Sequence, residues 1–566
     1  MTLKTLKALL IVATGAGSAA PALGGAGAGA YLAARHASIS SDYTKAAEYY
    51  TLALTRDPGN RMLLENALIA FVGVGDLDRA AAIARQMQET PGTDSQAANL
   101  VLIADLARKE DYEGILAMLK EHSVGPLVDG LVRSWARLGA GRMSEALEAF
   151  DEVVAARGMR AFGLYHKGLA IASAGDFEGA DRIFSGKEGG PLRITRRGAI
   201  AHVQILSQLE RNRDALELLR TIFGSLPDPL ADGLRARLTA GEVLPFRLIA
   251  SPREGIAEVF YTVAGALRGE ANDGYTLIYS RMAEMLDPGH SDAILLTAQL
   301  FDKLQRHDLA IANYKKIAPS DPAYVTAEIG RAEALRRSGR TDAAVEVLEQ
   351  LAKARPELVD VHVALGDTYR QIRQFGAAAR AYGKAIDLFA KPDKGQWFVY
   401  YARGIAHERI GEWENAEADF RKALELQPGQ PNVLNYLGYS LVEKRIKLDE
   451  ALAMIRQAVA ARPDDGYITD SLGWVLYRLG RYEEAVVHME RAAELMPTDP
   501  IVNDHLGDVY WVVGRHREAR VQWQRALSFG PEEKEEKRIR RKLEVGLDAV
   551  LAAEGASPLA VSRNGD

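Results

Sequence analysis

The stretch that decides the fold is written twice in succession near the end of the chain. Residues 470–497 read DSLGWVLYRLGRYEEAVVHMERAAELMP, and residues 504–531 read DHLGDVYWVVGRHREARVQWQRALSFGP. The two stretches align without gaps and share a frame of a glycine, an alanine, a bulky apolar residue, a second alanine and a proline. In the second stretch these residues are Gly507, Ala519, Trp523, Ala526 and Pro531. Small residues let two helices approach each other, and the proline ends the second helix.

The same frame recurs five times between Val359 and Pro531. Its glycines occur at 366, 404, 438, 473 and 507, so the steps are 38, 34, 35 and 34 residues. A period of about 34 residues with this frame resembles the tetratricopeptide repeat, a helix–turn–helix unit that stacks on its neighbours. The resemblance implies an all-α fold, an α-solenoid in which the stacked repeats form a right-handed superhelix. We expect a C-terminal array over residues 255–531, with its strong repeats at 359–531.

Weaker copies of the frame fill the first half of the chain. Asp57-Pro58-Gly59-Asn60 is a turn between repeats, and Gly75-Asp76 is a turn within the next one. Later units retain few frame residues, so we predict a degenerate N-terminal array over 29–225. In residues 226–254 the prolines are too closely spaced for an uninterrupted helix pair, and we interpret this segment as a joint between the two arrays.

The two ends of the chain differ from the repeats. In residues 1–28, Lys4 and Lys7 precede an apolar run and a small-residue region, which is the pattern of a secretory signal peptide. We predict export to the periplasm or the medium, with cleavage among Ala26, Ala28 and Ala30. Residues 532–554 alternate acidic and basic side chains at helical spacing, which favours one solvated capping helix. We expect residues 555–566 to be a disordered tail.

Composition excludes several classes of function. The chain has 566 residues, of which 48% are hydrophobic and 26% are charged, and its formal net charge is −6. A general nucleic-acid binder carries a basic surplus, which is missing here, so we expect no nucleic-acid partner. The sequence contains no cysteine, which removes disulfides, thiol nucleophiles, Cys-based zinc sites and lipid attachment through Cys.

No catalytic pattern stands out. The 11 histidines are scattered singly, and no Gly-x-Ser-x-Gly elbow or phosphate-binding loop occurs. His407 and His505 are next to carboxylates, but both lie at repeat-helix positions where packing roles are more common. We therefore predict a protein that is not an enzyme, without catalytic residues, metal, cofactor or small-molecule substrate.

Function is expected at the first-helix positions that face the concave surface of the repeats. With the frame glycine counted as position 8, these are positions 2, 5, 9, 12 and 13. Besides Arg370, the candidate protein-binding residues are Tyr401, Asn435, Tyr439, Asp470, Trp474, Tyr477, Asp504, Asp508 and Trp511. Rigid aromatic rings and amide or carboxylate groups suit an extended peptide or protein segment. The alternative is that Trp474 and Tyr439 merely pack against the next repeat.

One known mode of repeat recognition is excluded. Repeats that clamp a C-terminal carboxylate present Lys and Asn on the first helix, with Lys and Arg on the third. This sequence presents Asp470 and Asp504 at the matching places, and their charge repels a carboxylate. A clamp for chaperone tails is therefore not expected.

The C-terminal half also resembles a narrower group, the exported tetratricopeptide proteins of Gram-negative bacteria. The phrases that carry this resemblance are PREGIAEV at 252–259, NYLGY at 435–439, DSLGW at 470–474 and HLGD at 505–508. Some members of the group are outer-membrane lipoproteins that act as adaptors for a carboxyl-terminal processing protease, which removes cell-wall hydrolases. This chain lacks the Cys that a lipoprotein needs, so only an indirect association with the membrane is expected.

Two functions of different class follow. The first is a non-catalytic scaffold of the cell envelope that holds a protease or another envelope enzyme beside its substrates. The second is a structural or assembly protein that self-associates or bridges envelope components. Proteins recovered with the chain from an envelope extract would separate the two.

Overall fold

The computed structural model describes residues 25–90, 92, 95–190, 192, 195–224, 228–389 and 392–555. Within these residues the chain has 31 α-helices, one short 3₁₀ helix and no β-strand. The predicted all-α repeat solenoid is confirmed. Residues 1–24 of the predicted signal peptide and residues 556–566 of the predicted tail lie outside the described residues. None of the described helices has the length and apolar character needed to cross a membrane.

The chain forms two compact units, residues 1–347 and residues 348–566, called the first unit and the second unit below. The sequence placed a joint at 226–254, and that segment lies inside the first unit. The helices of the first unit are α1 (Gly25–Ile39), α2 (Tyr43–Leu54), α3 (Arg61–Val74), α4 (Leu77–Glu89), α5 (Gln96–Arg108), α6 (Tyr112–Glu121), α7 (Pro126–Gly139), α8 (Met143–Ala155), α9 (Arg160–Ser173), α10 (Phe177–Phe184), α11 (Arg196–Gln208), α12 (Asn212–Phe223), α13 (Pro229–Thr239), α14 (Pro252–Leu267), α15 (Asp273–Leu286), α16 (Ser291–Lys303), α17 (His307–Tyr314) and α18 (Tyr324–Arg337).

A further helix, α19 (Thr341–Ala354), spans the boundary between the units. The helices of the second unit are α20 (Val359–Gln371), α21 (Phe375–Asp387), the 3₁₀ helix Lys394–Gln396, α22 (Trp397–Arg409), α23 (Trp413–Leu426), α24 (Pro431–Glu443), α25 (Leu448–Ala461), α26 (Gly466–Arg478), α27 (Tyr482–Leu495), α28 (Pro500–Val512), α29 (His516–Ser528), α30 (Glu533–Val545) and α31 (Leu547–Ala553).

The local sequence determines where the paired helices of the first unit begin and end. Asp76, Asp111 and Asp176 each accept the backbone N–H three residues ahead and so cap the second helix of a pair. Gly75 ends the first helix of its pair in a left-handed conformation, with φ 92°. The predicted turn at Gly75-Asp76 is therefore both a helix stop and a helix start.

Helices α14 and α15 pack against earlier helices of the same unit. They contact α3, α5, α7 and α9, which are the first helices of successive pairs. Gly255 of α14 lies so close to Trp135 of α7 that an added Cβ would be 2.3 Å from the indole ring. Arg281 of α15 donates to the carbonyl oxygen of Val72 in α3 at 3.2 Å. The surface made by the first helices, called the first-helix face below, is thus covered by the unit's own chain.

The described residues 228–254 of the proline-containing segment hold α13, a stretch at 240–251 without helix or strand, and the start of α14. Asp228 caps α13 by accepting the N–H groups of Leu230 and Ala231. The stretch at 240–251 runs along α11, where the N–H of Leu244 donates to Ser207 Oγ at 2.8 Å. Leu244 is buried. This stretch carries the chain to the start of α14.

The second unit shows why the frame needs its glycines. A Cβ at Gly473 would lie 2.7 Å from Met489 Cγ, and a Cβ at Gly507 would lie 2.5 Å from the Trp523 ring. Gly366, Gly404 and Gly438 bear the same relation to Tyr382, Phe420 and Ile455. The bulky frame residue therefore packs over the glycine of its own repeat.

The charged segment after the last repeat is two helices, and the expectation of one long helix is wrong. Gly546, with φ 84°, separates α30 from α31. The segment is also less solvated than its composition suggests, because Ile539 and Lys542 of α30 and Leu547 and Val550 of α31 are buried. These contacts fix the two helices on the last repeat.

Candidate protein-binding groove of the second unit

An open groove of about 560 Å³ crosses α24 in the second unit. Asn435, Tyr436, Tyr439 and Glu443 of α24 form its floor and part of its walls. Glu408 and Arg409 of α22 lie on one side, and Tyr467, Asp470, Ile501 and His505 of α26 and α28 lie on the other. All of these residues come from first helices. We call this surface the α24 groove.

Three of the residues predicted from sequence line the α24 groove: Asn435, Tyr439 and Asp470. Several lining residues were missing from the prediction, although its own position rule covers some of them. Glu408 is at position 12, Glu443 at position 13, and Tyr467 and Ile501 at position 2 of their repeats. Tyr436 and His505 are at position 6, which the rule leaves out.

Asn435 has an unsatisfied amide on the floor of the α24 groove. Its Oδ1 atom is buried and has no hydrogen-bond partner among the residues that the structure describes. A buried acceptor without a donor costs about 1–3 kcal/mol, so most such atoms in folded proteins have a partner. A ligand that brings an N–H group into the groove would supply one.

The far wall is held by contacts between consecutive repeats. The His505 ring stacks on Trp474 with centroids 4.0 Å apart, and His505 Nδ1 lies 3.0 Å from Asp470 Oδ2. Burial lowers the pKa of His505, but the charge of Asp470 and their hydrogen bond outweigh burial, so the pKa lies above its ordinary value. Trp474 Nε1 also donates to Glu443 Oε1 at 3.0 Å.

The near wall has a similar arrangement. The hydroxyl of Tyr436 donates to Glu408 Oε2 at 3.3 Å. Burial, and then the charge of Glu408, raises the pKa of Tyr436 to about 12, so this hydroxyl keeps its proton. Both walls of the groove are therefore positioned before any ligand arrives.

Three other predicted residues are used in packing. Tyr401 is half-buried, with its ring 6.0 Å from the rings of Trp397, Phe420 and Tyr436. Tyr477 is buried and stacks on Trp474 at 4.9 Å. For Trp474 the structure shows the packing alternative, because its ring lies on His505 of the next repeat. Tyr439 lines the groove instead.

The last three predicted residues are covered by the C-terminal helices. Lys542 of α30 is fully buried, and its Nζ donates to Asp504 Oδ1 at 2.8 Å and to Asp508 Oδ1 at 2.6 Å. Trp511 Nε1 donates to Asp548 of α31 at 2.9 Å. Burial, and then the charge of Asp508, raises the pKa of Asp504. The expectation that these three residues face a partner is corrected, because they hold the chain's own C-terminal helices.

The described part of the chain contains no group of three His, Asp or Glu side chains placed to hold a metal ion. His407, which lies next to a carboxylate in sequence, has Nδ1 2.7 Å from Glu412 Oε2.

Comparison with known families identifies the repeats. Models of the tetratricopeptide repeat match residues 295–359, 329–394, 397–430 and 470–499. The chain therefore carries tetratricopeptide repeats in these segments, which include α22 and part of α26, two of the four helices that line the α24 groove. This repeat fold is typically a non-catalytic scaffold for protein interactions.

Several characterised proteins are similar over part of the chain. TPR repeat-containing protein PA4667 of Pseudomonas aeruginosa is 27% identical over 172 residues, which is 30% of this chain and 28% of that protein. General transcriptional corepressor ssn6 of Schizosaccharomyces pombe is 27% identical over 131 residues, which is 23% of this chain and 11% of that protein. The chain thus spans less than a third of the length of these curated relatives.

Among solved structures, the crystal structure of the APC/C hetero-tetramer Cut9–Hcn1 aligns over 92% of this chain and 96% of its own. The sequence identity is 15% and the TM-score is 0.38.

Proposed function

We propose that the protein is a non-catalytic scaffold that binds an extended segment of a partner protein in the α24 groove. The observation that carries this proposal is the buried, unpaired Oδ1 of Asn435 on the groove floor. Once the Asn435 amide turns toward the groove, a backbone N–H of an extended segment can donate to its Oδ1 without needing a particular side chain, which suits repeats that recognise peptides. Asn435 is therefore the residue on which the binding should depend most.

The walls and rim suit the side chains of such a segment. Tyr436 and Tyr439 offer rigid aromatic surfaces beside Asn435. Tyr467 and Ile501 at the rim are 60% and 52% exposed, which leaves apolar surface uncovered next to a polar floor. Apolar side chains of the partner would cover these two residues.

We also propose that this binding takes place in the bacterial cell envelope. The support comes from sequence: the secretory pattern of residues 1–28 and the resemblance of the C-terminal half to exported tetratricopeptide proteins. On this proposal the scaffold is an adaptor that holds a carboxyl-terminal processing protease beside cell-wall hydrolases. The alternative proposal is a structural protein that binds further copies of itself or bridges envelope components.

Site-specific photocrosslinking tests the groove directly. A photoreactive phenylalanine analogue replaces Tyr467 at the rim in one version of the full chain. In the matched control it replaces Val487 of α27, which is 64% exposed and lies on a second helix. We expect defined crosslinked products in extracts of the source cells from position 467 and none from position 487.

The identity of the crosslinked chains separates the two envelope roles. A protease together with hydrolases supports the adaptor, whereas copies of the chain itself support the assembly protein. Equal crosslinking from both positions, or none from position 467, would contradict binding in the α24 groove.

A further inference from the structure

The first unit contains a second cavity, unrelated to the α24 groove. It has a volume of about 470 Å³ and lies between α9, the start of α11, α14 and the start of α16. Phe162, Tyr165 and Tyr261 contribute aromatic surface to its lining. Glu258, which also lines the cavity, is completely buried. We call this cavity the Glu258 pocket.

A fully paired polar network forms the floor of the Glu258 pocket. Glu258 Oε1 accepts from the hydroxyl of Tyr165 at 2.7 Å, and its Oε2 accepts from Arg197 Nε at 2.8 Å. His290 Nδ1 accepts the N–H of Ala293, so its Nε2 carries the hydrogen and donates to Glu258 Oε2 at 3.2 Å. Both carboxylate oxygens are thus occupied by protein donors.

Burial raises the pKa of Glu258, but the charge of Arg197 and the bonds from His290 and Tyr165 outweigh burial. The pKa therefore lies well below its ordinary value, and Glu258 stays ionised. Arg197 also pairs with Asp292 at 2.9 Å, and Arg196 at the entrance pairs with Asp228 at 2.8 Å. The cations and anions that line this pocket are all engaged with protein partners.

This pairing decides what the pocket can hold. An anionic ligand would lose its hydration inside the pocket and would find both lining arginines already paired, so an uncharged ligand is favoured over an anion. The aromatic rings favour a flat, apolar body. Among the described residues, no hydrogen bond is found to the hydroxyl oxygen of Tyr261 or to Oδ1 of Asp292, whose Oδ2 pairs with Arg197. Either of them can accept from one donor group on the ligand.

The pocket is accessible from its own wall. Gly265 of α14 lines it, and a Cβ added there would meet no atom within 4 Å. Ala266 is an exposed neighbour on the same wall. A volume of this size is in the range of cavities that bind small molecules, about 300–1,000 Å³.

We infer that the Glu258 pocket is a binding site for a small, uncharged, aromatic molecule that carries one hydrogen-bond donor. This site lies entirely in the first unit, so it is independent of the proposed function of the α24 groove. Because α14 also covers the first-helix face, an occupant of the pocket touches the element that closes that face.

A pair of fluorescent probes tests both the site and its preference for neutral ligands. N-phenyl-1-naphthylamine is uncharged, has two aromatic groups and carries one N–H donor. 8-Anilinonaphthalene-1-sulfonate has the same skeleton with an added negative charge. Titrated with the full chain, the neutral probe should saturate at one site per chain and bind at least tenfold more tightly than the anionic probe.

The variant Gly265→Leu fills the pocket from its wall and should weaken the neutral probe at least tenfold. The matched control is Gly233→Leu in α13, where an added Cβ also meets no atom within 4 Å but lies outside the pocket. Ala266→Leu fills the same space if Gly265→Leu lowers the melting temperature. Equal probe affinity in filled and control variants, no saturable binding, or equal affinity for both probes would overturn the inference.

Discussion

The two units use the same helix pairs but treat their first-helix faces in opposite ways. In the first unit, α14 and α15 lie on α3, α5, α7 and α9, and the face is filled. Among the described residues of the second unit, α30 and α31 cover the face at the last repeat, and the α24 groove is open. Repeat architecture alone therefore does not show that a surface is available. Whether the surface is available depends on which other helices of the chain pack on it.

The two units also differ in how closely their repeats follow the glycine–alanine–proline frame. The frame is strong in the second unit, where each repeat packs mainly on its neighbours, and weak in the first unit. First helices of the first unit carry residues that serve the covering helix, such as Trp135 against Gly255 and Tyr165 bonded to Glu258. Where the first-helix face packs on a covering helix of the same unit, its residues serve that contact, and the glycine–alanine–proline frame need not be kept.

The largest loss of stability is expected when the charge of Glu258, which helps to hold α14 on the first-helix face, is removed. In Glu258→Leu, Arg197 stays buried and loses its main partner, which should lower the free energy of unfolding of the first unit by about 3–5 kcal/mol. Urea unfolding followed by circular dichroism measures the loss. Glu217→Gln, which changes a fully exposed carboxylate on α12, should leave the unfolding curve unchanged. Matching curves for the two variants would break the account of the filled face.

A smaller loss is expected at the covered end of the second unit. Lys542→Met leaves Asp504 and Asp508 with only the longer contacts to Arg538, at 3.9 and 3.6 Å, but Asp504 can take up a proton, so we expect a loss of about 1.5–3 kcal/mol. Hydrogen exchange should show α30 and α31 losing protection first. Lys534→Met, an exposed change on the same helix, is the control. Undiminished protection of residues 533–553 in the Lys542 variant would mean that the ion pair does not hold the cover.

The repeat frame itself can be tested in the second unit. Gly473→Leu forces a side chain against Met489 and should cost about 1–3 kcal/mol in the stability of that unit. Gly383→Leu is the matched control, because an added Cβ there meets only Arg403 at 3.8 Å. Equal melting temperatures for the two variants would contradict the packing of Met489 over its glycine.

A modest pH effect is expected from the wall of the α24 groove. Since the folded-state pKa of His505 lies above its ordinary value of 6.5, its pairing with Asp470 stabilises the fold fully below pH 6.5. That contribution disappears as the pH rises through the higher folded-state pKa. The stability difference between the native chain and His505→Gln should thus be largest near pH 6 and shrink toward pH 9. A difference that grows with pH would reverse the assignment of the charged pair.

The frame made most of the fold predictable from sequence. Glycine and proline have strict backbone and packing requirements, so the helix pairs of 359–531 follow from Gly473, Gly507 and their equivalents. The covering of the first unit was not predictable in this way. The contacts of Gly255 with Trp135 and of Glu258 with Tyr165 join residues 120 and 93 positions apart, and no local periodicity records such pairs.

The candidate site was predictable in part. Counting positions from the glycine found Asn435, Tyr439 and Asp470, because helical geometry fixes which positions share a face. It could not separate Asp504 and Asp508 from Asp470, since all three are acids at first-helix positions. Only the return of Lys542 onto the last repeat distinguishes them.

The most direct test of the open groove combines binding and stability in one variant, Asn435→Leu. Because Oδ1 of Asn435 has no partner in the described part of the chain, its removal should leave the melting temperature unchanged or slightly higher. Crosslinking from position 467 should at the same time fall at least tenfold. If instead crosslinking persists, or if it falls together with a lower melting temperature, Asn435 is part of the packing and the α24 groove is not the binding surface.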